Sequence, residues 1–214
     1  SKDLLSVLWA GADILRGKMD ANEYKNYLLG IVFYKYLSDT FLTHVYDLLY
    51  NKKPENMTEA QRAYEEIFET EDAEVLLQDI KESYHYTISP DLTYTKIAEA
   101  ANNNFFQREN LQKAFNNVEQ SDSIFANLFA DVDLYSTRLG TGEQKQSSTI
   151  AEVVKTINEA NLLNHEGDVL GDAYEYLIAQ FASETGKKAG EFYTPQAVSQ
   201  ILTRVAIQGQ EDKQ

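Results

Sequence analysis

The segment that begins at Asp20 constrains the fold of this chain more than any other. Asp20 and Glu23 have the spacing of a capping box, and the residues after them predict one long helix over Ala21–Tyr50. The apolar residues of this segment cover more than one helical stripe: Tyr27, Leu28, Ile31, Val32, Tyr34, Leu37, Phe41 and Val45. A helix that is apolar nearly all round must be covered on several sides, so we expect it at the centre of a helical bundle.

Residues 30–37 also allow another interpretation. Their Ile-Val-Phe-Tyr content is typical of a β-strand, although no turn bounds them as a short hairpin. The helix over residues 21–50 remains the prediction.

Further helices are predicted along most of the chain. Thr58 with Gln61 indicates a helix start that leads through Phe68, and the spacing after Asp72 predicts a third helix that ends near Glu82. Similar patterns follow at residues 97–101, 111–118, 149–157 (introduced by Thr149 with Glu152) and 169–182.

Three segments interrupt this helical pattern. Residues 84–95 predict an extended loop around Pro90, in which the alternation of Tyr84, Tyr86 and Ile88 allows a short strand. Residues 125–129 form a small apolar cluster, and Gly140-Thr141-Gly142 is interpreted as a hydrophilic hinge.

Composition is typical of a folded chain. The sequence has 214 residues, 43% of them hydrophobic, which is enough for a packed core in one large or two small domains. The most apolar stretch, residues 27–37, is interrupted by Lys35 and is too short to span a bilayer. No signal peptide is visible, and the absence of cysteine excludes disulfides, so we expect a cytoplasmic protein without membrane contact.

The formal net charge of −15 is concentrated in the middle of the chain. Residues 52–122 carry seven basic against fifteen acidic side chains, and residues 123–184 carry three against ten. An acidic surface repels nucleic acid, so we expect any DNA contact near the ends, for example at Lys187 and Lys188, or else through other subunits or a further domain.

The segment Gly190-Glu191-Phe192-Tyr193-Thr194-Pro195 combines a mobile loop with a helix start. Thr194 is a suitable N-cap, Pro195 suits the first helical position, and the following apolar spacing predicts a helix over residues 195–207. Free N–H groups at this helix start could hold the carboxylate of an amino-acid-like ligand. A capped loop whose Phe192 and Tyr193 are packed in a core would have the same local pattern.

This string resembles the box that opens the methyltransferase domain in the modification subunit of type I restriction-modification systems. Residues 8–17, 27–39, 134–140 and 168–178 are similar to the same family, in the same order. The resemblance implies adenine-N6 methylation of DNA with S-adenosylmethionine as cofactor. It also implies that Glu191, Phe192, Tyr193, Thr194, Pro195 and Gln196 line the pocket for the methionine end of the cofactor.

The implied architecture is mainly α. We expect an N-terminal helical domain over residues 1–140, a linker with connecting helices over 141–185, and the start of a truncated α/β methyltransferase domain over 186–214. The family's partners would be DNA, a specificity subunit, a second modification subunit and a restriction subunit.

Two family features are missing from the sequence. The prolines are Pro54, Pro90 and Pro195, so it contains no Asn/Asp-Pro-Pro-Tyr/Phe loop to hold a flipped adenine, and no complete glycine-rich turn is present. We therefore expect no catalytic residue in this chain and no activity of the chain alone.

Other chemistry has little support in the sequence. His44, His85 and His165 are too far apart for a local metal motif, and the spacing of Asp172 and Glu175 is more typical of a solvated helix face than of a catalytic pair. Trp9 and the many tyrosines are interpreted as packing residues rather than base-stacking ones. Two alternatives remain: a self-sufficient helical adaptor and a DNA-binding module.

Overall fold

The structure is a computed structural model that describes residues 4–163, together with residues 171, 173 and 175–177. Within residues 4–163 the chain is mainly α, as predicted. The helices are α1 (Leu4–Leu15), α2 (Ala21–Tyr50), α3 (Met57–Phe68), α4 (Ala73–Tyr84), α5 (Tyr94–Asn102), α6 (Arg108–Glu119) and α7 (Glu143–Asn158). Short 3₁₀ turns occur at Pro90–Leu92 and Ser123–Phe125. None of the helices that can be described is both long and apolar enough for a membrane span.

Helix α2 is the central element, and its predicted bounds are confirmed. It contacts α1, α3, α4, α5 and α7, so it is covered on several sides. The strand interpretation of residues 30–37 is wrong, because buried side chains such as Leu28, Ile31 and Val32 follow a helical repeat through this segment.

The predicted capping box at the start of α2 is confirmed. The backbone N–H of Asp20 donates to Oε2 of Glu23 at 3.1 Å. The same Glu23 carboxylate accepts a hydrogen bond from the Arg138 guanidinium, which ties the segment before α7 to this end of α2.

The second predicted helix is confirmed as α3, but the roles of its first residues differ from the prediction. Asn56 is the N-cap, and its Oδ1 accepts from the backbone N–H of Glu59 at 3.0 Å. Thr58 is exposed, whereas Gln61 is buried and donates to the carbonyl of Pro90 at 3.0 Å. The Gln61 side chain, which the sequence pattern assigned to a local cap, therefore binds a residue that is distant in the sequence.

Helix α4 confirms the third predicted helix and ends two residues later than expected. Ile80 is its one fully buried residue, and Val75 is 73% exposed. Helix α3, with four buried residues, is therefore better covered than α4.

The segment between α4 and α5 forms no strand with any of the described residues. Instead, buried side chains bind its backbone carbonyls. The hydroxyl of Tyr64 donates to Ile88 at 2.7 Å, and the hydroxyl of Tyr34 donates to Leu92 at 2.7 Å. A buried irregular backbone is tolerated here because its polar groups have partners.

The predicted apolar cluster at residues 125–129 is partly confirmed. The Phe129 ring stacks on Phe115 with ring centroids 4.1 Å apart, and it meets Tyr34 edge-on. Phe125 packs edge-on against Tyr86, whereas Leu128 remains 38% exposed. The cluster therefore extends the bundle core rather than forming a separate one.

Helix α7 corrects one local prediction. It begins six residues before Thr149, and the Thr149 hydroxyl donates to the carbonyl of Leu139 at 2.8 Å, so Thr149 is no N-cap. Gly140-Thr141-Gly142 leads into α7 with Thr141 and Gly142 exposed, and its interpretation as a hinge remains a prediction. The proposed domain limits at residues 140 and 185 remain predictions.

Candidate functional site

The six predicted cofactor-binding residues, Glu191 to Gln196, lie outside the described residues, as do Lys187, Lys188 and the helix predicted over residues 195–207. What the structure describes is the part of the chain that leads towards them. This part comprises the segment before α7, the turn after α7, and five residues of the next predicted helix.

The segment before α7, residues 134–140, is fixed to the bundle by its two leucines. Leu134 and Leu139 are fully buried. Nε2 of Gln146, in the first turn of α7, donates to the carbonyls of Tyr135 at 3.1 Å and Ser136 at 3.2 Å. The Tyr135 ring is exposed and lies 4.5 Å from the Arg108 guanidinium.

The turn after α7 keeps the chain on the bundle surface. Ala160 and Leu162 are buried. The backbone N–H of Leu163 donates to Oδ1 of Asn161 at 3.1 Å, which closes a local Asx turn. The chain therefore reaches Leu163 along a defined path.

The helix predicted over residues 169–182 is confirmed at the five positions that are described. Ala173 and Leu177, four residues apart, are both buried in the core, and Tyr176 packs partly against it. Ala173 also borders a groove of about 500 Å³ between the N-terminal half of α2 and residues 128–132. This helix is thus packed on the bundle before the predicted box begins.

Of the two acidic residues that are one turn apart in this predicted helix, Glu175 is half-buried, and Asp172 lies outside the described residues.

Histidine geometry gives no support to metal chemistry. The His44 ring packs against Tyr84 with centroids 4.7 Å apart, and Nδ1 of His85 lies 3.5 Å from Oδ2 of Asp122. His165 is not described. No group of His, Asp and Glu side chains among the described residues could hold a metal ion.

The packing interpretation of the aromatic residues is confirmed for the tyrosines of the core. These are Tyr24, Tyr27, Tyr34, Tyr46, Tyr64, Tyr86 and Tyr94. Trp9 differs, because it is 38% exposed and the Arg16 guanidinium stacks over its ring at 4.5 Å.

One polar feature of the bundle was not anticipated from the sequence. Lys35 and Asp39 form an ion pair on α2, with side chains that are each only 4% exposed. Nζ of Lys35 lies 5.2 Å from the centre of the Tyr94 ring. Burial raises the pKa of the Asp39 carboxyl, and the neighbouring Lys35 ammonium opposes that effect. The signal was present as two opposite charges, four residues apart, within an apolar segment.

This ion pair borders a cleft of about 990 Å³. The cleft lies between the C-terminal half of α2, the start of α3, α5 and the turn after α7. It is separate from the groove beside Ala173.

Comparison with known protein families gives two matches, one to the helical bundle and one to the region after it. Residues 4–157 match the family model of the HsdM N-terminal domain, and residues 165–214 match the N-6 DNA methylase family. The first match covers the bundle from α1 almost to the end of α7. The second contains the helix with Ala173 and the predicted box.

Two similar proteins are methylase subunits of type I restriction enzymes. The chain is 30% identical to the methylase subunit of the type I restriction enzyme MpnII from Mycoplasma pneumoniae, over 94% of this chain and 38% of the relative. It is 25% identical to the MjaIX methylase subunit from Methanocaldococcus jannaschii, over 92% of this chain and 34% of the relative. The chain thus spans little more than a third of the length of these relatives.

A solved structure supports the fold. The methyltransferase subunit of a type I restriction-modification system from Streptococcus thermophilus superimposes with a TM-score of 0.87. The sequences are 50% identical, and the alignment covers 99% of this chain and 45% of that one.

The bundle and the segment that follows it therefore define the N-terminal part of a DNA methylase subunit. More specifically, the chain belongs to the family of type I restriction-modification methylase subunits.

Proposed function

We propose that the intact subunit transfers a methyl group from S-adenosylmethionine to adenine N6 in DNA. The observation that carries this proposal is the match of residues 165–214 to the N-6 DNA methylase family, since this region contains the predicted box. The named relatives are themselves methylase subunits of type I restriction enzymes.

The local chemistry of the box suits the methionine end of this cofactor. The helix start predicted at Thr194 and Pro195 would leave backbone N–H groups that can donate hydrogen bonds to a carboxylate. Phe192 and Tyr193 supply aromatic surface beside it. In this proposal, residues 191–196 close one wall of the cofactor pocket.

Methyl transfer needs the cofactor sulfonium and the adenine amino nitrogen to be held in line, so positioning supplies most of the catalysis. The 214-residue sequence has no adjacent prolines and hence no loop of the Asn-Pro-Pro-Tyr type. We therefore propose that this chain alone binds no flipped adenine and catalyses no transfer.

The proposed partners are DNA, a specificity subunit, a second modification subunit and a restriction subunit, and the proposed location is the cytoplasm. In this arrangement the helical bundle is a rigid support for the methyltransferase region, as the burial of Ala173 and Leu177 in its core suggests. The choice of DNA sequence would belong to the specificity subunit.

Titration calorimetry of the intact subunit with S-adenosylmethionine tests the box. We expect Tyr193→Ala and Thr194→Ala each to weaken binding by about tenfold, which corresponds to about 1.4 kcal/mol. Tyr135→Ala is the matched control, because this exposed tyrosine lies in the bundle and should leave binding unchanged. Unchanged binding in both box variants would refute the assignment.

A further inference from the structure

The two regions with different family matches share one hydrophobic core. Residues 4–157 match the HsdM N-terminal domain and residues 165–214 match the N-6 DNA methylase family. Ala173 and Leu177 belong to the second region, yet they are only 0% and 1% exposed. Both lie in the same cluster of buried residues as Leu8 of α1 and Leu28 of α2. The start of the methylase region is therefore built into the helical bundle.

The helix that carries these two residues turns one apolar face towards the bundle. Ala173 borders the groove between the N-terminal half of α2 and residues 128–132, where Leu29, Phe33 and Val132 also line it. Leu177 follows four positions later, and residues at this spacing lie on the same face of a helix. The bundle thus holds this helix through at least one full turn.

Burial of Leu177 ties the stability of this helix to that of the bundle. Domains of one chain move relative to each other by default, unless the surface between them is large and apolar. Here the connection runs through the core, and truncation of a fully buried leucine is among the most damaging single changes in a folded protein. We therefore expect the helix and the bundle to unfold together.

The predicted cofactor box follows this helix closely in the sequence. Gly190, its first residue, comes thirteen positions after Leu177. A binding segment that is tethered close to a fixed helix has less conformational entropy to lose when its ligand binds. Packing of the helix on the bundle therefore favours cofactor binding, and an energetic coupling between two sites acts equally in both directions.

We propose that Leu177 is a positioning residue for the cofactor site. By holding the start of the methylase region in the core of the bundle, it couples the affinity for S-adenosylmethionine to the packing of the bundle. This inference rests on the proposed function of residues 191–196. Leu177 contacts the core and acts on the cofactor only through the chain that follows it.

Titration calorimetry of the intact subunit with S-adenosylmethionine tests the coupling. Leu177→Ala should weaken binding by at least about fivefold, the lower end of ordinary coupling between sites. Ile80→Ala is the matched control, because it removes the same number of carbon atoms from a fully buried position on α4, which does not line the groove beside Ala173. It should change binding by less than about twofold at a temperature at which both variants are folded.

The outcomes of this comparison are decisive. Binding by Leu177→Ala equal to that of the wild type would overturn the proposal, as would equal losses in the two variants. Leu177→Met, which conserves volume, should restore the affinity to within about twofold of the wild type. If Leu177→Ala fails to fold, Leu177→Val is compared with Ile80→Val in the same way, since each leaves a smaller cavity.

Hydrogen exchange measures the coupling in the opposite direction. S-adenosylmethionine should slow the exchange of α2 amides in the wild type and in Ile80→Ala, but not in Leu177→Ala. A loss of stability alone would leave this cofactor effect in place. Identical exchange of α2 with and without the cofactor in the wild type would overturn the coupling.

The packing itself is tested without cofactor in the 214-residue chain. Trp9 on α1 is the one tryptophan of this sequence, so its fluorescence reports the unfolding of the bundle. Leu177→Ala should lower the urea midpoint of this transition, as Ile80→Ala should. An unchanged midpoint in Leu177→Ala would show that its helix is not part of the bundle core and would overturn the proposal.

Failure of this inference differs from failure of the proposed function. Absence of cofactor binding by the wild-type subunit would refute the proposed function, and this inference with it. Equal binding by the wild type and Leu177→Ala would refute this inference alone.

Discussion

Gly30 lies at one of the closest approaches between two segments of the bundle. A Cβ at this position would lie 2.6 Å from Cγ2 of Val132 and 3.8 Å from Cδ1 of Phe129. Glycine normally weakens a helix interior, so its presence in the middle of α2 is explained by this approach rather than by helix propensity. The segment after α6 can pack on α2 only because this side chain is missing.

Gly30→Ala is therefore expected to destabilise the protein although it improves helix propensity. Overpacking costs about 1–3 kcal/mol and the propensity gain is about 1 kcal/mol, so the free energy of unfolding should fall by about 1 kcal/mol. Urea unfolding measures the change.

A double-mutant cycle identifies the cause. If the contact with Val132 is responsible, Gly30→Ala should cost less in a Val132→Ala background, with a coupling of about 1 kcal/mol. Additive effects of the two substitutions would show that the close approach does not determine the cost.

At the scale of elements, buried tyrosine hydroxyls join helices to irregular backbone. Tyr64 on α3 and Tyr34 on α2 donate to the segment before α5, and Tyr86 in that segment donates to the carbonyl of Leu37 on α2 at 2.9 Å. Tyr94 on α5 donates to the carbonyl of Val154 on α7 at 2.9 Å. Each bond joins two elements and helps to fix their relative position.

Tyr64→Phe should destabilise the protein by about 1–3 kcal/mol, because it leaves the buried Ile88 carbonyl without its hydroxyl donor. Thermal and urea unfolding followed by circular dichroism provide the measurement. Tyr135→Phe is the control, since Tyr135 is 46% exposed and should change stability by less than about 0.5 kcal/mol. Equal effects of the two substitutions would contradict a structural role for the Tyr64 hydroxyl.

At the scale of the whole molecule, the tyrosines make stability depend on pH in the alkaline range. Burial raises the pKa of Tyr34, Tyr64, Tyr86 and Tyr94 above the ordinary value for the side chain. Their protons are retained in the folded state at a pH at which the unfolded chain has lost them. The stability associated with these groups is therefore complete below about pH 10 and is lost as the pH rises towards the folded-state pKa values.

We expect the free energy of unfolding to decrease above about pH 10, by about 1.4 kcal/mol per pH unit for each buried tyrosine. Urea titrations at a series of pH values measure this slope. Tyr86→Phe should make the slope shallower by one group's contribution. An unfolding free energy that stays constant above pH 10 would contradict the prediction.

Features of the fold that depend on neighbouring residues could be predicted from the sequence. The span of α2 follows from its apolar repeat and from Asp20 and Glu23, which are three residues apart. Polar side chains with distant partners could not be predicted: Gln61 and Thr149 occur in patterns typical of helix caps, but they bind the carbonyls of Pro90 and Leu139. Their roles depend on tertiary contacts that no short window of sequence contains.

The two candidate sites differ in how far the sequence could predict them. The family could be identified, and the box at residues 190–195 could be predicted, from the order of residues alone, because both depend on contiguous sequence features. The polar cleft could not be predicted, because α2, α3 and α5 supply its walls from residues as far apart in the sequence as Lys35 and Asn102. The sequence by itself determined the helices and the family. Only the tertiary structure decided which charged side chains meet, since burial and charge pairing depend on distance in space.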